Sequence, residues 1–183
     1  MWLSGTSSDG RKGQVLALSA LQYFVDHYYT KGPSLYRNVH LSLLSVRQDD
    51  YISQQIRWLA ASTLSKFVTI HDTVPKPEAM QIASQCNTVL CCSINETFGL
   101  YIAEGMTMGH IVLRNNSSGV DEQLLDGKNG YLIDHTNIQD IARAIEKIAN
   151  KKTSNKALLA MSKKSQSIIA SYTSRTYTDQ IND

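Results

Sequence analysis

The sequence predicts an α/β chain: a doubly wound parallel sheet with helices on both faces. Apolar, β-prone runs alternate with amphipathic stretches along the chain, which is the pattern of successive βα units. Residues 88–93 contain Val89-Leu90-Cys91-Cys92 without polar alternation, as suits a parallel strand covered on both sides. That run breaks at Asn95-Glu96-Thr97-Phe98-Gly99. A short helical pattern (Leu100, Ala103, Glu104, Met108) then leads through Gly109 into a second apolar run, Ile111-Val112-Leu113. A chain of 183 residues with no internal repeat, low-complexity tract or shift in composition is expected to form a single domain over 1–183.

Composition narrows the class. Hydrophobic content of 42% and charged content of 19% fit a soluble globular chain and argue against disorder. A net charge of +2 is too small to imply nucleic-acid binding, and the pairs Lys151-Lys152 and Lys163-Lys164 read as solvated surface. The cysteines, Cys86, Cys91 and Cys92, are odd in number and lack metal-ligand spacing. Cys91 and Cys92 are neighbours in a strand, so they should point to opposite faces as buried, reduced thiols. That favours a reducing, cytoplasmic compartment. No apolar run has membrane-spanning length, and the amino-terminal residues lack a signal-peptide pattern.

In order along the chain, residues 1–6 read as a strand and 7–13 as a polar, glycine-bearing loop. Residues 14–29 form an amphipathic helix with Leu18, Leu21, Val25 and Tyr28 on one stripe. This strand–loop–helix unit lacks both G-x-G-x-x-G and the Gly-Lys-Ser/Thr of a P-loop. Strand signals follow over 39–46, by alternation, and over 66–71, with a helix between them over 49–64 (Ile52, Ile56, Leu59, Ala60). Pro75 and Pro77 open a helix over 78–84. After the central stretch come a polar loop over 114–119, a short helix over 120–125, a turn at Asp126-Gly127-Lys128-Asn129-Gly130 and a strand over 131–133. Thr136 or Asn137 caps a strongly amphipathic helix carrying Ile138, Ile141, Ile145 and Ile148. A last helix covers 157–172, and 173–183 is either a crossover segment or a frayed end.

The chemistry lies between Glu96 and Glu104. A helix that starts just after a glycine, at the carboxyl end of a strand, presents free backbone N–H groups and a positive dipole end, an anion site for which phosphate is the usual occupant. Glu104 lies one turn into that helix, i+4 from Leu100. An ionised carboxylate only accepts hydrogen bonds, so it pairs well with the hydroxyls of a sugar diol. Two glutamates at this spacing are weak evidence alone. The surrounding residues strengthen it: Glu96-Thr97-Phe98-Gly99-Leu100 with Glu104, Met106, Gly109 and Val112, then Gly119-Val120-Asp121-Glu122, then Asp126-Gly127-Lys128-Asn129-Gly130. From about Gly5 to about Ala149 this resembles the retaining glycosyltransferases of the GT-B fold, family 4 type. Gly105 stands where that family has Ala, Ile111 where it has Pro, and Ser118 in place of the first glycine of a pair.

The resemblance implies one half of a GT-B fold, the C-terminal, donor-binding half. It implies a nucleoside-diphosphate sugar as donor, no cofactor, no bound metal, and an N-terminal acceptor-binding domain as the missing partner, through which any peripheral membrane contact would run. By that resemblance, Glu104 accepts from the ribose hydroxyls, and Glu96 contacts the transferred sugar in the retaining step. Phe98, Gly99 and Leu100 offer N–H groups to the diphosphate and sugar, and Lys12, in a Lys-Gly pair, meets the leaving-group charge. Gly5 marks the first loop, where Thr6 replaces the family's arginine and Arg11 is the candidate substitute. His71 and Phe98 are expected in loop or core positions; Tyr101 is assigned no role, and Asp121-Glu122 should cap a helix. The alternatives are a non-catalytic nucleotide-binding or scaffold domain, motivated by Thr6 and Ser118, and a dehydrogenase-like domain, against which the missing glycine fingerprint counts.

Overall fold

A computed structural model of the chain describes residues 1–4, 10–46 and 50–179, with the side chains of Ser4 and of 173–179 left aside. The strands are β1 (Trp2–Ser4), β2 (Leu41–Leu44), β3 (Val68–Ile70), β4 (Thr88–Cys91), β5 (Ile111–Asn115) and β6 (Gly130–Ile133). The helices are α1 (Gln14–Phe24), α2 (Tyr51–Ala61), α3 (Lys76–Ser84), α4 (Leu100–Thr107), α5 (Val120–Gln123), α6 (Ile138–Ala149) and α7 (Asn155–Asp179). The strands form one six-stranded sheet in the order β3-β2-β1-β4-β5-β6. Every pairing among them is parallel.

That order follows from short strands joined through helices. From β1 the chain winds outward through β2 to β3, then returns through α3 to β4 on the other side of β1 and winds outward again to β6. Right-handed crossovers put α1, α2 and α6 on one face and α3, α4, α5 and α7 on the other. The side chains confirm it. Leu3, Leu90, Cys92 and Leu113 share a core with α1, α2 and α6, whereas Trp2, Val89, Cys91 and Val112 pack with α3, α4, α5 and α7. Cys91 and Cys92 thus point to opposite faces as expected, both fully buried and unbridged.

Helix ends follow local chemistry. Asp50 caps α2 by accepting from the Ser53 N–H at 2.8 Å, and Asn137, rather than Thr136, caps α6 by accepting from the Asp140 N–H at 3.1 Å. The amphipathic stripe of α6 is buried at Ile141, Ala142, Ala144, Ile145 and Ile148. At about 25 cal/mol per Å² of apolar surface, each large side chain in that stripe contributes about 1.5–3 kcal/mol.

The structure corrects several expectations. The helix expected over 14–29 ends as α1 at Phe24, and Val25–Tyr29 continues as a wider, π-helical turn in which the Thr30 N–H reaches the Val25 carbonyl. Strand β2 does not alternate; all of Leu41–Leu44 is buried, because both faces of the sheet are covered. Arg114 and Asn115 belong to β5 rather than to a polar loop, and both are fully buried. The last helix, expected over 157–172, begins at Asn155 and runs to Asp179. Gly5, Thr6 and the rest of 5–9 lie outside the described residues, as do 47–49 and 180–183.

Trp2 ties the two halves of the sheet together. It pairs with Val89 across β1 and β4, stacks edge-on against Tyr101 at 5.7 Å, and donates its indole N–H to Nδ1 of buried His110 at 2.9 Å. Burial lowers the His110 pKa to about 4. An unfolded histidine titrates near 6.5, so below that pH the unfolded chain takes up a proton that the folded chain refuses. Stability from this site is therefore complete above about pH 6.5 and is lost as pH falls towards 4. Urea unfolding at pH 7.5 and pH 4.5 should show a loss of about 2–3 kcal/mol from this group. The variant His110→Asn, with no proton to take up, should lose less over the same range.

Candidate functional site

In a sheet of this order, the chain leaves β1 and β4 in opposite directions, which opens a crevice beyond their carboxyl ends. The loops that border it are those before α1 and before α4, the ones that carry the predicted residues. They are locked together at close range. The Ile94 N–H donates to the Arg11 carbonyl at 2.9 Å. Gly13 has φ of 71°, and a side chain there would place its Cβ 2.3 Å from the Cys92 carbonyl oxygen. Only glycine permits that approach.

The structure brings Lys12 and Glu96 into one cluster. Lys12 Nζ donates to Glu96 Oε2 at 2.9 Å, and the Ser93 hydroxyl donates to the same oxygen at 3.3 Å. The Glu96 side chain is only 10% exposed, so this pairing is more than a loose surface contact. Oε1 of Glu96 has no hydrogen-bond partner among the described residues and remains an open acceptor. Arg11 lies exposed in the turn beside Lys12. Gly5 lies outside the described residues.

Helix α4 begins as expected. Gly99 precedes it with φ of 65°, a left-handed conformation that glycine adopts without strain. The N–H groups of Phe98, Gly99, Leu100 and Tyr101 meet no acceptor among the described residues, so the helix entrance presents donors and a positive dipole end. Gly99 itself is buried, Phe98 is half-buried against the Tyr172 ring, and Leu100 is 73% exposed. A site of this kind can hold an anion at the amides while Lys12 adds a mobile positive charge.

Glu104 stands apart from Glu96. It lies one turn along α4 and forms an ion pair with Lys76, the first residue of α3. Its other oxygen, Oε2, has no partner among the described residues. The two acids therefore reach in different directions, Glu96 from the loop before α4 towards the loop before α1, and Glu104 from α4 itself towards α3.

Sequence reasoning missed Lys76, Ser93 and Arg114. Lys76 stood between two prolines that fix the start of α3, a usable signal for a held side chain. Arg114 carried none, because nothing in IVLRN shows that the strand runs on past Leu113. Tyr101, assigned no role, is a core residue: its hydroxyl donates to the Leu90 carbonyl at 3.2 Å. His71 is half-buried at the end of β3, as expected. Asp121 and Glu122 lie exposed in the first turn of α5, where they face its positive dipole end. A cavity of about 350 Å³ opens at the opposite, amino-terminal end of the strands, by Val39, Asn87 and Ile111, but no carboxylate among the described residues lines it.

The fold and the crevice define the class: an α/β domain with the architecture of the C-terminal half of GT-B enzymes. The model of the family "Glycosyl transferases group 1" matches residues 10–167, and the chain belongs to that family. A stretch of 72 residues is 39% identical to an alpha-1,3/1,6-mannosyltransferase of Dictyostelium discoideum, covering 37% of this chain and 17% of that protein. The C-terminal domain of a glycosyl transferase group 1 family protein from Francisella tularensis superposes with a TM-score of 0.69 at 18% identity, covering 93% of this chain and 83% of that one. HepE from Anabaena, solved in complex with UDP, superposes with a TM-score of 0.67 at 22% identity, over 93% of this chain and 43% of its own. The chain thus spans less than half the length of that relative. No described helix is long and apolar enough to cross a membrane.

The tight entry into α4 gives a direct stability test. In Gly99→Ala the new Cβ would lie 2.7 Å from Ile102 Cδ1 and the residue would keep a left-handed backbone. Urea unfolding should report a loss of about 1–2 kcal/mol. Leu100→Ala, at an exposed position, should change stability by less than about 0.5 kcal/mol.

Proposed function

We propose that this chain is the donor-binding half of a retaining glycosyltransferase and that residues 1–183 form one nucleotide-sugar-binding domain. The observation that carries the reading is the cluster at the crevice: unfilled amides at the α4 entrance beside a Glu96 carboxylate held by Lys12. The diphosphate of the donor lies against the Phe98, Gly99 and Leu100 amides. Lys12 moves from Glu96 to the diphosphate as charge builds on the leaving group. Fixed dipoles cost no reorganisation at that moment, which is the main source of electrostatic catalysis.

Glu104 takes the ribose hydroxyls, with Lys76 holding its other oxygen in place. Glu96 faces the transferred sugar with its open Oε1, orienting a hydroxyl and supporting positive charge at the anomeric carbon. The positive end of α4, Lys12 and Arg11 together supply the charge that the departing diphosphate needs, so the reading calls on no metal. UDP is the first nucleotide to test, since the Anabaena relative was solved with it. The acceptor is held by a second, N-terminal domain across the crevice.

Calorimetric titration of the chain with UDP, GDP and ADP should find at least one that binds at sub-millimolar to millimolar concentration. Loss of a hydrogen bond to a charged group costs about 1.5–3 kcal/mol, so Glu104→Ala should weaken that nucleotide roughly 10-fold or more. If no nucleotide binds at millimolar concentration and Glu104→Ala changes nothing, the donor-site reading is wrong. With the partner half supplied, sugar transfer should continue in excess EDTA and should fall at least 100-fold in Glu96→Gln. Binding without transfer in that assembly would instead support a non-catalytic nucleotide-binding domain.

A further inference from the structure

Arg114 is the largest polar side chain buried in the described structure, with no exposed surface. None of the ion pairs among the described residues involves it. Its two Nη groups are instead bonded to oxygen dipoles, while its Nε meets no acceptor among the described residues. Nη2 donates to the carbonyls of Thr97 at 2.7 Å and Ser118 at 2.6 Å, and to the Ser117 hydroxyl at 3.3 Å. Nη1 donates to Gln123 Oε1 and, at 3.5 Å, to the Phe98 carbonyl. The Gln123 amide in turn reaches the Gly99 carbonyl at 3.5 Å. A buried cation without a carboxylate partner is costly, and its desolvation is offset here only by these bonds.

The direction of those bonds matters more than their number. A trans peptide is planar, and its C=O and N–H point opposite ways. No cis peptide is present among the described residues. Holding the Thr97 carbonyl inward therefore turns the Phe98 N–H outward, and holding the Phe98 carbonyl inward turns the Gly99 N–H outward. These are amides that meet no acceptor among the described residues. Arg114 also joins this turn to the loop before α5 through Ser118, and the two backbones meet closely: a Cβ on Gly119 would stand 2.8 Å from the Thr97 carbonyl oxygen.

We propose that Arg114 is a positioning residue for the donor diphosphate: from beneath the turn it aims the Phe98 and Gly99 amides at the phosphate oxygens and fixes the loop before α5 beside them. This rests on the donor-site reading above. Ser118, where the family pattern has glycine, fits this role. Its φ is not positive, so its backbone does not need glycine, and its carbonyl serves as an acceptor for Arg114.

The test compares Arg114→Met and Arg114→Lys with the wild-type chain. Methionine fills most of the volume without the charge, and lysine keeps the charge without the fork. The nucleoside diphosphate that the wild type binds and its parent nucleoside are titrated separately, alongside thermal melting. Arg114→Met should weaken the diphosphate at least 10-fold while the nucleoside changes less than about twofold, and Arg114→Lys should recover part of the loss. Equal weakening of both ligands, or an unchanged diphosphate affinity, overturns the proposal and leaves the donor site standing. Should Arg114→Met fail to fold, Arg114→Lys carries the same comparison. If the wild type binds no nucleotide, the donor reading fails, and inorganic pyrophosphate decides the role of Arg114. NMR shifts at the Phe98 and Gly99 amides in the wild type that vanish in the variant support it; no shift, or the same shift in both, overturns it.

Discussion

The contact between β1 and β4 is the constraint on which the rest of the structure depends. These strands are neighbours in space and distant in sequence, and the chain leaves them in opposite directions. The crevice beyond their ends exists only because they pair. Trp2 secures that pairing from below by reaching across to Val89, Tyr101 and His110. Above, the Gly13 backbone lies against the Cys92 carbonyl, and the Ile94 amide is bonded to Arg11. Lys12 and Glu96, 84 positions apart in the chain, meet as a consequence.

Around the crevice, polar groups replace apolar packing in a continuous line. Arg114 bonds to Gln123, the Asn129 amide donates to the Gln123 carbonyl at 2.9 Å, and Asn129 meets Ser165 on α7. Asn115, also fully buried, donates to the Ser93 carbonyl at 2.8 Å. Networks of this kind cost stability when partly satisfied and enforce one geometry when satisfied. Here they hold the loop before α4, whose own backbone makes few bonds, and they do so from α5, β5 and α7. The site is thus supported by elements far from it in sequence as well as by its own loops.

Much of this was legible along the chain. The buried run through Cys91 and Cys92, the glycine at the start of α4 and the stripe of α6 each follow from local rules, because strand burial and helix capping depend on residues close in sequence. The donor-binding roles proposed for Glu96 and Glu104 rest on the family resemblance rather than on any local pattern. Element ends were less so. Nothing near Leu113 shows that β5 continues through a charged residue, since an arginine is buried only when distant carbonyls surround it. The π-helical turn at Val25–Tyr29 was hidden for a similar reason: its rings meet Tyr23 and Phe24 within the helix, but Tyr29 also packs against Tyr36 and Phe67 from other elements.

The sequence by itself determined the alternation of strands and helices, the two-sided burial of the central strand and the identity of the acids and the lysine. These are properties of short windows, set by hydrophobic period and backbone preference. Only the tertiary structure decided which partners those residues take: Glu96 with Lys12, Glu104 with Lys76, and Arg114 with the carbonyls of Thr97 and Ser118. Such partners depend on strand order and on distances of a few ångströms across separate elements, and no local pattern encodes either.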